Sequence, residues 1–273
     1  MKKILTATIL SFWSIAMMAQ HTADEWLSRG MGYDSSNRYD SSIVCYKAAL
    51  QIDKDNVEAI WRLGGAYYHI DSVRTAIDCC MAAIEVDRKN KDVYYLLGTI
   101  YFGQQNYKSS EEYLRKATEF GGPGFVAAWC RLGESYLNLG DTAQAEKCLN
   151  SVIENDPSFQ RAYFDLGEIS KARGDNAQAI EWYITAVRKF PLYPEALYSM
   201  AQCYINLANI NNAIDCLQKI VSMNKADDKV YYMLGKLHYM SGNNTKAVSA
   251  LQSALRINPG NEEAEKLLSV LAD

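Results

Sequence analysis

The sequence predicts an all-α protein built from repeated pairs of helices, and three observations carry that prediction. Only 5 of the 273 residues are proline, while 49% are hydrophobic and 22% are charged, a balance typical of globular chains. Apolar residues recur with helical periodicity in segments of about ten residues or more. A pattern of small residues also returns about every 34 positions, which indicates stacked repeats around a shared core.

The N-terminal segment differs from the rest of the chain. Lys2 and Lys3 precede an uncharged run over residues 4–18, and Ala19 follows it. Basic, apolar and small residues in this order are typical of a secretory signal peptide. We therefore expect residues 1–19 to be cleaved after Ala19 and the chain to be exported to the periplasm or cell envelope. An uncleaved anchor is the weaker alternative, because a membrane span needs about 20 apolar residues.

Six glycines and one alanine lie in register inside the predicted first helices of the repeats. They are Gly30, Gly64, Gly98, Gly133, Gly167, Ala201 and Gly235. Twelve residues after each comes a small residue: Ser42, Ala76, Ser110, Ala145, Ala179, Ala213 and Ala247. A glycine inside a helix costs about 1 kcal/mol relative to alanine. Small residues on facing helices let the axes approach closely, so we expect Gly98 to mark the contact between the two helices of its pair.

This pattern resembles the tetratricopeptide repeat (TPR). One unit matches the family pattern at Trp129, Leu132, Gly133, Tyr136, Ala145, Leu149 and Pro157. The resemblance implies a right-handed superhelical solenoid of seven helix-turn-helix repeats over residues 23–273. The repeats are expected near 23–56, 57–90, 91–125, 126–159, 160–193, 194–227 and 228–261. Residues 262–272 place apolar side chains on one face and charges on the other, which predicts a C-terminal capping helix.

The sequence offers little material for catalysis or metal binding. His21, His69 and His238 fall in different segments of the chain, so no pair of histidines has the spacing of a helical metal site. No nucleophile elbow, HExxH motif or dinucleotide-binding fingerprint is present. The formal charge is −4 without a basic run, which argues against nucleic acid. We expect a protein that is not an enzyme and has no cofactor and no metal.

Four of the seven cysteines occupy the same position of the second helix in their repeats. These are Cys45, Cys79, Cys148 and Cys216. Equivalent positions on stacked helices lie about 8–10 Å apart or more, whereas a disulfide needs α-carbons within about 7 Å. We therefore expect Cys45 and Cys79 not to pair, and buried thiols rather than disulfides.

In the family, the first helix of each repeat lines the concave groove, and ligand contacts come from recurring positions of that helix. Carried over, the resemblance implies a ligand-binding groove formed by Trp61, Tyr68, Tyr95, Phe102, Glu134, Phe164, Glu168, Tyr198, Gln202, Tyr232, Lys236 and Tyr239. Aromatic side chains with a polar edge suit binding, because they bury much area at low entropic cost. Packing between neighbouring helices is the alternative for any single aromatic residue.

Two glutamates on the predicted groove, Glu134 and Glu168, indicate the charge of the expected ligand. Glu134 and Glu168 would repel the acidic peptide C-terminus that the best-known repeats of this family bind. We therefore expect a segment of mixed apolar and polar character that is basic near these two residues.

Three functions remain open from the sequence. The first is a non-enzymatic protein–protein interaction scaffold in the cell envelope that binds a partner peptide or protein segment in the groove. The second is small-molecule or glycan binding by the aromatic groove. The third is a structural subunit of an envelope or secretion complex that uses its convex face or its ends. Membrane association is expected only through a larger complex or an uncleaved signal.

Overall fold

The computed structural model describes residues 22–272, and these residues form fifteen α-helices and no strand. In chain order the helices are α1 (Ala23–Ser35), α2 (Tyr39–Ile52), α3 (Val57–His69), α4 (Val73–Val86), α5 (Lys91–Gly103), α6 (Tyr107–Gly121), α7 (Val126–Asn138), α8 (Thr142–Asn155), α9 (Gln160–Ala172), α10 (Asn176–Lys189), α11 (Pro194–Asn206), α12 (Ile210–Ser222), α13 (Asp228–Met240), α14 (Asn244–Ile257) and α15 (Glu262–Ala272). The predicted fold class, helix pairs followed by a final helix, is confirmed.

The N-terminal prediction concerns residues that the structure does not describe. The expected signal peptide, residues 1–19, lies outside the described range. Within residues 22–272, none of the helices combines the length and apolar character that crossing a membrane requires.

Short polar side chains begin many of the helices. Thr22 and Glu25 form a reciprocal capping box at the start of α1, and the Asn56 side chain accepts the Ala59 backbone N–H at 2.9 Å at the start of α3. Asp227 does the same for the Val230 N–H of α13 at 2.9 Å. Such bonds satisfy backbone donors that have no partner within the helix, so helix starts are set by local sequence.

The chain forms two compact units that divide after Ala145, inside α8. In unit 1, α1 pairs with α2, α3 with α4 and α5 with α6, while α2 packs on α3 and α6 on α7. In unit 2, α9 pairs with α10, α11 with α12 and α13 with α14. The final helix α15 packs on α14 and α13. Each unit buries apolar side chains between its helices, among them Leu97 and Ile100 in unit 1 and Leu197 and Leu217 in unit 2.

The close approach expected at the glycines is present. A Cβ atom added to Gly98 would overlap the side chain of Leu114 on α6. The Ser110 hydroxyl, twelve residues on, donates to the Gly98 carbonyl at 2.8 Å. In unit 2 the corresponding Gly167 lies directly against the ring of Tyr183. The glycine in the first helix therefore makes room for a large side chain of the second helix, and burial of that side chain offsets the helix-propensity cost.

The final helix is fixed by a polar cluster as well as by apolar contact. The side-chain amides of Asn258 and Asn261 both donate to the Asp228 carboxylate at 2.9 Å, and Asn261 is buried. Ala264 is fully buried in a cluster with Leu251 on α14. These contacts support the predicted capping role of α15.

The prediction that Cys45 and Cys79 do not form a disulfide is confirmed. Cys45 and Cys79 are free thiols, as are Cys80, Cys203 and Cys216. Burial raises the pKa of the Cys79 thiol to about 11 and that of Cys80 to about 12. Because the thiolate is the reactive form, these groups act as small apolar residues in the core at neutral pH.

Candidate functional site

The predicted aromatic residues on the first helices of unit 1 are partly buried and contact neighbouring side chains. The Arg62 guanidinium lies 4.6 Å from the centroid of the Trp61 ring, and its Nε is 2.8 Å from the Glu58 carboxylate. The Tyr68 hydroxyl lies beside Gly103, where an added Cβ would collide with it. One face of Trp61 is therefore occupied, and Tyr68 contacts the next first helix.

Farther along unit 1 the same pattern holds. Tyr95 packs against Phe125 with ring centroids 5.3 Å apart. Phe102 meets Tyr107 edge-on at 5.4 Å, and the Arg131 guanidinium lies 4.8 Å from the Phe102 centroid. Here the alternative of packing between helices describes the predicted groove residues well.

Glu134 is not an unpaired anion. Its carboxylate lies 2.8 Å from the Arg131 guanidinium, three residues earlier on α7. Both side chains are about one-third exposed, so the pair is screened by solvent. A partner has no need to supply a cation at this position.

Unit 2 places Glu168 at the centre of a polar network. The Tyr183 hydroxyl donates to Glu168 Oε1 at 2.7 Å, and the Ser199 hydroxyl donates to the same oxygen. Lys171 Nζ lies 2.7 Å from the other oxygen, Oε2, and 3.2 Å from the Ser199 hydroxyl. The network joins α9, α10 and α11 through one carboxylate.

The network holds Glu168 in its charged form. Burial acts to raise the pKa of the Glu168 carboxyl, but the hydrogen bonds from Lys171, Ser199 and Tyr183 and the Lys171 charge outweigh it, and the pKa is lowered. Burial and the bond to Glu168 together raise the pKa of Tyr183 above its ordinary value. Tyr183 thus acts as a donor and Glu168 as an acceptor at neutral pH.

A first depression of about 540 Å³ opens beside this network. Its lining includes three predicted groove residues, Phe164, Glu168 and Tyr198, on α9 and α11. Phe164 is fixed from one side by Tyr193, with ring centroids 5.3 Å apart. The rest of the lining comprises Arg161, Asp165, Pro194, Glu195, Ser199, Ile220, Lys225, Asp227, Lys229 and Val230.

A second depression of about 430 Å³ is lined by residues of the first helices α9, α11 and α13. All three helices also contribute to the first depression. It contains three further predicted residues, Gln202, Tyr232 and Lys236. The remaining lining is Lys171, Ile205, Asn206, Met233, Leu237 and Met240. Lys171 of the second depression donates to Glu168 and Ser199 of the first, so the two depressions adjoin.

The structure thus separates the predicted residues into two groups. Six of them line the adjoining depressions of unit 2, and Tyr239, which is 40% exposed, does not line either one. The five predicted residues of unit 1 make the intramolecular contacts described above. The pattern also missed Tyr183, although a clue was present: Tyr183 follows Gly167 by the same interval that separates Tyr46 from Gly30, and each ring lies against its glycine.

The fold and these surfaces define a class of helical-repeat protein built from stacked helix pairs. Family models described as tetratricopeptide repeat or TPR repeat match residues 33–70, 91–120, 130–194, 170–237 and 228–261. The chain belongs to the tetratricopeptide-repeat family. TPR proteins mediate protein–protein interactions and are generally non-enzymatic scaffolds.

Solved structures of several TPR proteins are similar to this chain. A tetratricopeptide repeat protein from Parabacteroides merdae ATCC 43184 is 15% identical, with a TM-score of 0.61 over 92% of this chain and 99% of that one. PilW, described as a type IV pilus biogenesis factor, is 18% identical, with a TM-score of 0.64 over 73% and 92%. YrrB, described as a TPR protein with an unusual peptide-binding site, is 23% identical, with a TM-score of 0.54 over 64% and 89%.

These likenesses establish the fold. No curated protein matches the chain in sequence.

Proposed function

We propose that this protein is a non-enzymatic interaction module that binds an extended or helical segment of a partner protein on the first helices of unit 2. The observation that carries this proposal is the pair of adjoining depressions on α9, α11 and α13. Each combines apolar floor residues with a few polar groups, which is the usual character of a recognition surface. A segment that crosses from one depression to the other buries Tyr198 and Tyr232.

The polar network prepares this surface for binding. Glu168 receives bonds from three side chains on three helices, so the floor between the depressions is ordered before a partner arrives. Surfaces that are rigid in advance lose less conformational entropy on association. Peptide binding by the similar TPR structure with a peptide-binding site is consistent with this use of the fold.

Site-specific photo-crosslinking tests the proposal. A photoreactive residue is placed at Tyr198 in the first depression and, as the control, at Glu181, an exposed residue of the second helix α10. We expect the same partner to be crosslinked in the producing cells from position 198 and not from position 181. A partner that crosslinks only from position 181 would favour binding through the second helices.

Mass spectrometry of the adduct then names the bound segment, and a synthetic peptide of that sequence is titrated against the purified chain. Sugar-dependent quenching of Trp fluorescence without any protein adduct would instead favour the glycan alternative.

Export to the cell envelope forms part of the same proposal. The basic, apolar and small residues at positions 1–19 support it. N-terminal sequencing of the protein recovered from its producing cells checks it: we expect the mature chain to begin at Gln20 in an envelope fraction. A chain that begins at Met1 in the cytoplasm would contradict export.

A further inference from the structure

The charges of the two depressions differ. The second depression includes Lys171 and Lys236 and no carboxylate among its lining residues. Its other polar groups are the amides of Gln202 and Asn206, and its floor is apolar, with Ile205 and Leu237. The first depression has cations and carboxylates together.

Internal contacts account for most of the charges in the first depression. Arg161 Nε lies 2.8 Å from the Asp165 carboxylate, and the Asp227 carboxylate accepts the Val230 N–H. Glu168 is paired with Lys171, and the lining also contains Lys225, Lys229 and the Glu195 carboxylate. This depression therefore carries charges of both signs around the apolar surface of Phe164 and Tyr198.

Lys236 is the unmatched charge of the second depression. Lys171 forms an ion pair with Glu168 and donates a hydrogen bond to Ser199. Lys236 is exposed, and the ion pairs found within residues 22–272 do not include it. It is held on the face of α13 that also presents Met233 and Met240 to the depression.

We infer that the partner segment carries an aspartate or glutamate next to an apolar side chain, and that this carboxylate meets Lys236 in the second depression. The inference rests on the proposed function and specifies the chemistry of its ligand. It reverses the charge expected from the sequence, because Glu134 and Glu168, which suggested a basic ligand, each have an internal cation partner.

The carboxylate belongs to a side chain within the segment. Met240 follows Lys236 by one helical turn, lines the same depression and is 58% exposed. A segment that meets Lys236 and also covers this apolar surface needs an apolar residue beside its acidic residue, and the carboxylate that we infer is the side chain of that acid. Methionine adapts to different side-chain shapes, so the apolar neighbour of the acid is expected to vary.

Selection from a peptide library tests the inference. Random dodecapeptides are displayed as fusions whose C-terminus is joined to the coat protein, so that no free terminal carboxylate is presented. The purified chain is used as bait, and selected peptides are remade with both ends blocked for titration. We expect enrichment of peptides with Asp or Glu beside an apolar residue.

Charge reversal locates the acidic contact. Lys236→Glu should weaken the selected peptides about tenfold or more, since a rim charge sets selectivity between charged partners. Lys147→Glu is the matched control, because Lys147 is exposed on α8 and does not line either depression. Equal losses in the two variants would overturn the inference.

The same experiment separates this inference from the proposed function. Basic or uncharged peptides that lose affinity on Tyr198→Ser would leave groove binding in place and overturn the acidic preference. Selection without any enrichment, or with peptides insensitive to both Tyr198→Ser and Tyr232→Ser, would overturn both. Acidic peptides that bind only with a free C-terminus in a parallel C-terminal display would also refute the internal side-chain contact.

Discussion

The first-helix surfaces of unit 1 and unit 2 use the same residue types for different purposes. Tyr95 and Tyr198 occupy equivalent positions of their repeats. Tyr95 packs against Phe125 in unit 1, whereas Tyr198 lines an open depression in unit 2. Both rings are partly buried. A repeat position therefore fixes where a side chain lies on its helix, and the surrounding residues decide whether the side chain also borders a depression.

The two units also differ in how well a buried tyrosine–carboxylate hydrogen bond is supported by other donors. Tyr46 in unit 1 and Tyr183 in unit 2 are both fully buried against a glycine, and each hydroxyl donates to a carboxylate, of Asp34 and of Glu168 respectively. Among the described residues, Asp34 Oδ1 is buried without a hydrogen-bond partner. Glu168 has two further donors. The carboxylate of unit 2 is thus the better satisfied one.

The largest expected effect concerns the glycine contacts. Gly167→Ala should lower the free energy of unfolding by about 3 kcal/mol, because the new methyl group overlaps the rigid Tyr183 ring. Gly98→Ala should cost about 2 kcal/mol, since the Leu114 side chain that it meets is more flexible than a ring but is fully buried. Urea denaturation measures both values.

Gly32→Ala is the control for helix propensity. Gly32 has open space where a Cβ would lie, so this change should stabilise the protein by up to about 1 kcal/mol. A Gly167→Ala variant as stable as the wild type would contradict the close packing.

The next effect separates binding from packing. Tyr198→Ser should reduce the affinity for the selected peptides by about 2 kcal/mol, as expected for an aromatic contact at the centre of an interface. Tyr95→Ser should leave that affinity unchanged, although both changes should lower the stability of the chain, because both rings pack against core clusters. Isothermal titration and thermal unfolding of both variants give the comparison, and loss of affinity in Tyr95→Ser alone would place the binding surface in unit 1.

The two tyrosine–carboxylate pairs offer a smaller contrast. Tyr46→Phe should cost about 2 kcal/mol of stability, because Asp34 loses the donor to its Oδ2 while its Oδ1 already lacks one. Tyr183→Phe should cost about 1 kcal/mol, since Lys171 and Ser199 still donate to Glu168. Chemical denaturation measures both changes, and the opposite order would show that the additional donors do not support Glu168.

The turns between paired helices provide a further comparison. Ala208 has a positive φ of 57° in unit 2, whereas the equivalent turn residue of the preceding repeat is Gly174, with φ of 83°. Left-handed backbone costs a non-glycine residue about 1 kcal/mol or more, so Ala208→Gly should raise the melting temperature and Gly174→Ala should lower it. No change in either variant would mean that the turns relax without cost.

The smallest expected effect is a pH dependence centred on Glu168. Its folded-state pKa lies below the ordinary value of about 4.5, so the folded protein binds fewer protons than the unfolded chain there. The stabilisation is present above about pH 4.5 and is lost as the pH falls through the lowered pKa.

Glu168→Gln should therefore reduce the difference in stability between neutral and acidic pH. The change should be below about 1 kcal/mol, because the carboxylate is partly exposed. Glu154→Gln, at an exposed position of α8, is the control. Identical pH profiles of wild type and Glu168→Gln would show that the network does not hold the charged carboxylate.

The sequence by itself determined the helices, their pairing and the close approach at Gly98 and Gly167. These features depend on information within one repeat: apolar periodicity selects helices, Asn and Asp side chains mark their starts, and glycine allows contact with the partner helix. The final helix was also predictable, because residues 262–272 place apolar side chains on one face and charges on the other.

Only the tertiary structure decided which of the twelve candidate residues line an open surface. Tyr95 contacts Phe125, and Glu168 is paired with Lys171 and accepts a hydrogen bond from Ser199. Such contacts depend on distances of a few ångströms between side chains of different repeats. Sequence spacing fixes the helix face of a residue but not those distances. The sequence therefore suggested a basic ligand from Glu134 and Glu168, whereas the structure pairs both carboxylates with internal cations.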